Sequence, residues 1–366
     1  MATLTLRRST FSSERALELA PLAIGLLGLA LGWAGSAWDV SWHRLIGRDT
    51  FWTTPHLGIY AGTMLSGMAA LVATATGMHG RPIRARELAI GPLHVERGMA
   101  IVGFGALAVI AAGPFDELWH RTFGRDVDMW SPPHVFAIYG GGILIYLGWT
   151  VAAATNVFGL SSRLRDALVI FFASGIVSTL IFGMNFYYMM GWSREALFYP
   201  LLVCATVPFA LAFTTELQQE RFAATLTALA YAAFALLTFV ALRTLGWLPP
   251  AFPPLVVAGA VAMDILRART RNAWALGAAF AVAFVVFEGA RLLTFTPAPP
   301  SAGSLADPQF RGLVLTYYFA AEARPWLSAW PIAAALLGAP LAAASLTLGR
   351  VAARVLDVNP AAVPPR

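Results

Sequence analysis

The chain of 366 residues is 58% hydrophobic and only 12% charged, which is too little charge for a soluble globule, where charged residues run near 25%. Its formal net charge of +6 is carried by arginine alone, because the sequence has no lysine, and in so apolar a chain that excess reports membrane orientation rather than nucleic-acid binding. A single cysteine, Cys204, lies inside an apolar run, which excludes an intrachain disulfide and a thiolate cluster.

Apolar runs of about 20 residues recur from end to end, each long enough to cross a hydrocarbon core of roughly 30 Å with its backbone hydrogen bonds satisfied internally. The expected fold class is therefore all-α: a polytopic integral membrane helix bundle of about ten spans. The first run, residues 16–38, follows Arg7, Arg8 and Arg15 and ends near AGSA, the outline of a signal peptide. It exceeds the 7–15 residue apolar core of such a peptide and leads straight into a polar motif, so it reads as a retained span. Further spans are expected over 55–77, 98–115, 133–158, 167–191, 196–215, 222–246, 254–266, 273–295 and 328–351. The eighth, PLVVAGAVAMDIL, is shorter than a full crossing, and nine spans with a re-entrant piece is the alternative.

Arginine placement arbitrates. With the N-terminus cytoplasmic, Arg81, Arg84, Arg86 and Arg97, then Arg163 and Arg165, Arg221, Arg267, Arg269 and Arg271, and finally Arg350 and Arg354 all fall on the cytoplasmic side. Trp247, LPPAFPP, TPAPPSAG, Trp326 and Trp330 then lie at the outer interface. Dropping the eighth span would reverse everything after it, so ten is the preferred count. The expected setting is a bacterial-type inner or plasma membrane, with both termini cytoplasmic.

Between the first and second spans stands DVSWHRLIGRDTFWTTPH, beginning at Asp39, and between the third and fourth DELWHRTFGRDVDMWSPPH, beginning at Asp116. Each copy is flanked by a small-residue apolar run and by a run opening on Pro-His, with IYAG answered by IYGG. Residues 1–158 thus read as a duplicated two-hairpin unit and 159–366 as a C-terminal helix bundle. Both hairpins enter the membrane in the same direction, which brings the two motifs to one face, the outer one.

Copy one offers Asp39, His43 and His56; copy two offers Asp116, His120 and His134. If each preceding helix continues through its motif, aspartate and first histidine at i and i+4 share a face. The second histidine follows proline, which favours the first turn of a returning helix. Two imidazoles and a carboxylate make a plausible shell for copper, iron or zinc. Asp49 and Asp126, each after Gly-Arg, are candidates to orient the imidazoles or complete the shell, with Arg48 and Arg125 offsetting their charge. The competing reading takes Trp42, Trp52, Trp119 and Trp130 as interfacial anchors and the Asp-His pairs as loop caps. Four of the six histidines fall at matched positions, each set with a matched aspartate, which anchoring does not require.

The Asp-x3-His-x12-His spacing of Asp39, His43 and His56 resembles the copper motif in the C subunit of the copper membrane monooxygenases, which oxidise methane, ammonia and short hydrocarbons. Asp116, His120 and His134 follow it with one extra residue, and the duplication departs from that family. The resemblance implies bound copper, an oxidoreductase acting on a small apolar substrate, and additional membrane or soluble subunits, since that family's complexes include a cupredoxin-like region that this chain does not supply. Two other functions remain open: a metal transporter, with Asp264, Glu288 or methionines continuing a trail of ligands, and an assembly subunit without metal. Two motifs on one face are expected to share one pocket rather than stand apart.

Other polar residues have structural expectations. Glu288 is expected to pair with Arg291 at i+3, with Arg243 as the alternative. Asn185 suits an interhelical hydrogen bond, Met184, Met189 and Met190 suit the core, and His79 and His94 are expected in solvent.

Overall fold

The computed structural model describes residues 13–46, 50–76, 87–91, 93–124, 131–187, 198–218, 220–247, 255–295 and 330–356. Within them the chain is an all-α bundle: α1 (Ser13–Leu45), α2 (Thr54–Ala75), α3 (Arg97–Phe123), α4 (Pro132–Ala154), α5 (Ser162–Tyr187), α6 (Phe198–Leu217), α7 (Ala223–Thr244), α8 (Val257–Arg267), α9 (Ala273–Phe295) and α10 (Trp330–Val355). Nine of these are long and apolar enough to cross a membrane.

The pattern of burial is that of helices dissolved in lipid. On α2 the buried residues are Gly62, Thr63, Ser66, Ala69, Ala70 and Ala73, whereas Met64, Met68 and Leu71 face outward. On α3 the outward residues include Phe104, Leu107 and Ile110, and Gly98, Gly105 and Ala106 are buried. Large apolar residues face outward on both helices and small ones line much of the inward face, beside Met99, Val102 and Val109 on α3, because lipid tails solvate leucine as well as a protein core does and close backbone approach drives the association.

Side-chain contacts sort the helix ends. Arg15 donates to the carbonyls of Phe158 and Gly159, Arg97 to that of Leu356, Gln218 to that of Asp166, and Arg350 to that of Arg271. All of these tie termini at one end of the bundle. At the opposite end Trp247, just past α7, packs on Trp38 and Trp42 beside the first motif, with ring centroids 5.5 and 6.2 Å apart. Arg15, Arg97, Arg271 and Arg350 thus gather at one end and both motifs lie at the other, where Arg121 and Arg243 also stand.

The eighth segment differs from a full span. α8 has 11 residues, about 16 Å of helix, or half a hydrocarbon core. The chain nevertheless returns to the arginine end, because buried Asp264 near the end of α8 accepts 2.8 Å hydrogen bonds from Thr225 N and Oγ1 in the first turn of α7. Arg267 also reaches the carbonyls of Thr215 and Glu220. Asp264 therefore caps α7 from another helix, satisfying a backbone N–H that helix starts leave orphaned. The topology keeps the parity that the arginines require, with a helix covering only the last part of the return.

A second difference lies at the arginine end, where ELAIGPLHVE forms an antiparallel hairpin, β1 (Glu87–Ile90) and β2 (Leu93–Glu96), turning at Gly91 with φ +60°. Its last residue, Glu96, accepts from Met99 N at 2.9 Å and so caps α3.

The two N-terminal hairpins repeat in packing as well as in sequence. A Cβ on Gly28 would lie 2.8 Å from the Gly62 carbonyl oxygen, and one on Gly105 would lie 2.8 Å from that of Gly141. Between His134 and Tyr139 the second copy carries one residue more than the first does between His56 and Tyr60. The structure absorbs it in a π-helical turn over Phe136–Gly142 within α4. A single-residue insertion bulges an α-helix in this way without rotating what lies on either side. Deleting Phe136, which is largely exposed, is expected to restore regular α-helix and retain both the Gly105–Gly141 packing and metal binding at the second motif; a deletion variant that folds but binds less metal would contradict this origin of the turn.

Candidate metal centre

Both aspartates and both first histidines sit on the last turns of α1 and α3, which run on through their motifs, so the i,i+4 geometry holds. The prolines Pro55 and Pro133 sit in the first turns of α2 and α4, where a missing N–H is harmless, and present His56 and His134 at the helix mouths. In copy one, Asp39 Oδ2 lies 3.8 Å from His43 Nε2 and Oδ1 lies 3.2 Å from His56 Nε2. In copy two, Asp116 Oδ2 lies 3.2 Å from His120 Nε2 and Oδ1 lies 3.5 Å from His134 Nε2. Each carboxylate stands between two imidazoles in the same sense, and one ligand atom from every member of a group lies within 4.8 Å of the others. These are the two groups of three or more such side chains found among the described residues that could hold a metal ion.

The spacing has a specific meaning. Bonds of about 2.0–2.2 Å from one ion at angles between square and tetrahedral place its ligands roughly 2.8–3.6 Å apart, and three of the four separations fall in that interval. Hydrogen bonding alone does not account for them: Asp39 Oδ1 and Asp116 Oδ1 are buried and accept no hydrogen bond, although an imidazole nitrogen is close to each.

In copy two the other ring nitrogens show how the imidazoles are held. His120 Nδ1 lies 3.3 Å from the carbonyl oxygen of Gly124, which only accepts; in the neutral tautomer that donates there, Nε2 carries the lone pair and is the nitrogen beside Asp116 Oδ2. Two acceptors then face each other at 3.2 Å, an arrangement that a cation between them satisfies. Gly124 turns its carbonyl back to the helix with φ +104° and ψ 157°, a conformation that is almost exclusively glycine's. His134 Nδ1 is 2.8 Å from Ser131 Oγ. In copy one the corresponding hydroxyl, Thr53 Oγ1, accepts instead from Thr50 N at 2.7 Å. Ser131→Ala is therefore expected to weaken one ion's affinity by about tenfold, the lower end for losing an outer hydrogen bond to a ligating histidine, and to leave a second ion unaffected in a two-site titration.

Asp49 and Asp126 lie outside the described residues, as do Arg48, Arg125 and Trp130. The two motifs adjoin one cavity of about 190 Å³, lined by Asp39, His56, Asp116 and His134 at its mouth. Deeper in the bundle its walls include Leu29, Trp33, Val109 and Ile145 with Thr63, Ser66 and Thr179, and among the described residues the two aspartates are its only carboxylates. Sequence reasoning missed Ser131 and Gly124. The Ser-Pro-Pro-His and Phe-Gly-Arg strings contained them, but only the folded helix ends show what their oxygens reach.

Elsewhere, Glu288 is buried, while the side chain of its expected partner Arg291 lies outside the described residues; Arg243 is exposed at the motif end of α7. The side chains of Asn185 and Met184, and Met189, Met190 and His79 altogether, also lie outside them. His94 is exposed on β2, 3.8 Å from Glu87.

No family model, curated protein or solved structure matches this chain. The chemistry of the site has to be read from its own atoms.

Proposed function

We propose that the protein is an integral membrane metalloprotein in which Asp39, His43 and His56 hold one ion and Asp116, His120 and His134 a second. The observation that carries this is the unbonded, buried carboxylate oxygen beside an imidazole nitrogen in each copy. Copper is the ion proposed, with iron and zinc as the competing outcomes, since imidazole and carboxylate suit all three. Positive charge retained on the cytoplasmic side of a bacterial-type plasma membrane sets the arginine end inside and the ions at the outer face.

The apolar cavity below the ligands supports a small, uncharged substrate that partitions from the bilayer. The activity proposed is its oxidation in the manner of the copper membrane monooxygenases: one dioxygen is consumed, one oxygen atom enters a C–H or N–H bond, and the other leaves as water, with two electrons and two protons from a membrane-borne reductant. Further subunits are proposed to deliver those electrons. The chain's own residues position the ligands, exclude water from the apolar cavity and keep charge out of it. A transport pathway has less support, because Asp264 is engaged as the cap of α7 at the far end of the bundle.

Metal analysis of protein purified in mild detergent without chelator tests the first step. Two equivalents of copper per chain are expected; no stoichiometric transition metal after reloading would overturn the proposal. Oxygen consumption with short alkanes or ammonia and a quinol donor tests the second, and metal-loaded protein, with its partner subunits present, that consumes none would remove the monooxygenase assignment.

A further inference from the structure

The fold does more than supply two copies of a site; it presses the copies together. α2 of the first hairpin and α3 of the second pack antiparallel with their backbones close: a Cβ on Gly67 would lie 3.2 Å from the Ala106 Cβ, and one on Gly103 would lie 3.8 Å from the Ala70 Cβ. Moving along the interface, each step back on α2 answers a step forward on α3. The register holds as far as the motifs, where a Cβ on Gly113 would lie 3.5 Å from the Tyr60 hydroxyl and 3.0 Å from the Phe51 ring. One helical turn further, the same register sets His56, of the first motif, against Asp116 and Glu117, of the second.

Two cavities confirm that this boundary is shared. The apolar chamber is lined by Asp39 and His56 from copy one and by Asp116 and His134 from copy two. A second cavity of about 210 Å³ is lined by His56, Phe51 and Trp52 of copy one and by Asp116 and His120 of copy two. His56 and Asp116 border both, so the wall between the two cavities is built from one ligand of each motif.

We infer that the two Asp/His/His groups form a single dinuclear transition-metal centre, with its two ions close enough to share a ligand at the mouth of the apolar chamber, rather than two independent sites. This rests on the metal-binding reading above and deepens it. The chemical reason to pair ions is that two cations roughly 3.5–4 Å apart can act on both ends of one small bound molecule, which separated sites cannot do. Six ligands for two ions leave each with open positions for water or a bound molecule.

The probe is Cu(II), titrated into the metal-free full-length protein in detergent, with bound copper counted and its electron paramagnetic resonance recorded at each step. Two bound ions whose resonance integrates to well under two spins, or shows a half-field transition, are the expected result. His43→Ala and His120→Ala, each removing a ligand of one group, are expected to restore the isolated-ion signal of the copper that remains and to weaken its binding, because the neighbouring ion or its shared ligand is lost. Two ions per chain giving two full, uncoupled spins in the wild type, with each variant losing one ion and leaving the other's affinity unchanged, would overturn the dinuclear centre while leaving the metalloprotein intact. A single ion per chain would also overturn it. No bound copper in a folded wild-type chain would remove the underlying metal reading itself.

Discussion

Replacing Asp39 and Asp116 together by asparagine is expected to leave a folded membrane protein that binds no transition metal. Each aspartate is the member of its group that touches both histidines, one oxygen toward each. Asparagine keeps the shape but removes the charge and turns one oxygen into an N–H donor aimed at an imidazole nitrogen. Losing an outer-shell partner of a metal ligand costs about 10–100-fold in affinity; losing the anionic ligand itself should exceed that, so a fall of about 100-fold or more is expected at each ion. Metal content after gel filtration, with isothermal titration of the apo variant, measures it. The opposite reading of the motifs, as hydrogen-bonded loop caps, predicts a different pattern: full metal indifference and a lower unfolding temperature of the apo protein. The two outcomes separate cleanly because the wild-type Oδ1 atoms accept no hydrogen bond that asparagine could lose.

Much of this site was legible because its spacing obeys helix geometry. Asp39 with His43 and Asp116 with His120 share a face only if α1 and α3 run past the apolar runs into polar sequence, and they do, ending at Leu45 and Phe123. The prolines before His56 and His134 are equally readable, since a proline near a helix start has a local reason to be there. What escaped depends on partners distant in sequence. Nothing local says that Asp264 caps α7 through Thr225, because that bond spans two helices and the turn between them. The β-hairpin over Glu87–Glu96, with strands of four residues, is too short to stand out beside spans of 18 residues or more. The π-turn in α4 is a middle case: the extra residue is plain when the copies are aligned, but whether it would shift His134, lengthen the loop or bulge the helix is decided by the packing of Gly105 on Gly141. How close one motif lies to the other follows from the α2–α3 register, which no pattern within either copy encodes.

That packing supplies the second large effect. Gly62→Val is expected to unseat the first hairpin and with it the metal centre. A Cβ at Gly62 would stand 2.3 Å from the Gly32 nitrogen and 2.5 Å from the Gly28 carbonyl oxygen, so the obstruction is backbone and no rotamer relieves it. In a bilayer the association of α1 with α2 gains nothing from excluding water and depends on this close approach. Overpacking a tight interface typically costs about 1–3 kcal/mol, and a branched side chain driven between two backbones belongs at the upper end or above it. The second hairpin offers an internal control: a Cβ at Gly141 first meets Val109 Cγ2, a side chain, and finds backbone only at 3.0 Å. Gly141→Ala should therefore be the milder change, since Val109 can yield where Gly32 cannot. The first hairpin also couples packing to chemistry through Gly35, one turn before Asp39, whose Cβ would lie 2.9 Å from the Pro55 carbonyl oxygen and 2.7 Å from the Ile59 nitrogen, on either side of His56. Anything that parts α1 from α2 at that level draws Asp39 away from His56 and opens their 3.2 Å contact. The expected order of unfolding temperatures in detergent is wild type, then Gly141→Ala, then Gly62→Ala, then Gly62→Val, with bound metal lost first in the Gly62 variants. Equal stability of the Gly62 and Gly141 alanine variants would show that the two seams are not held by backbone contact as described.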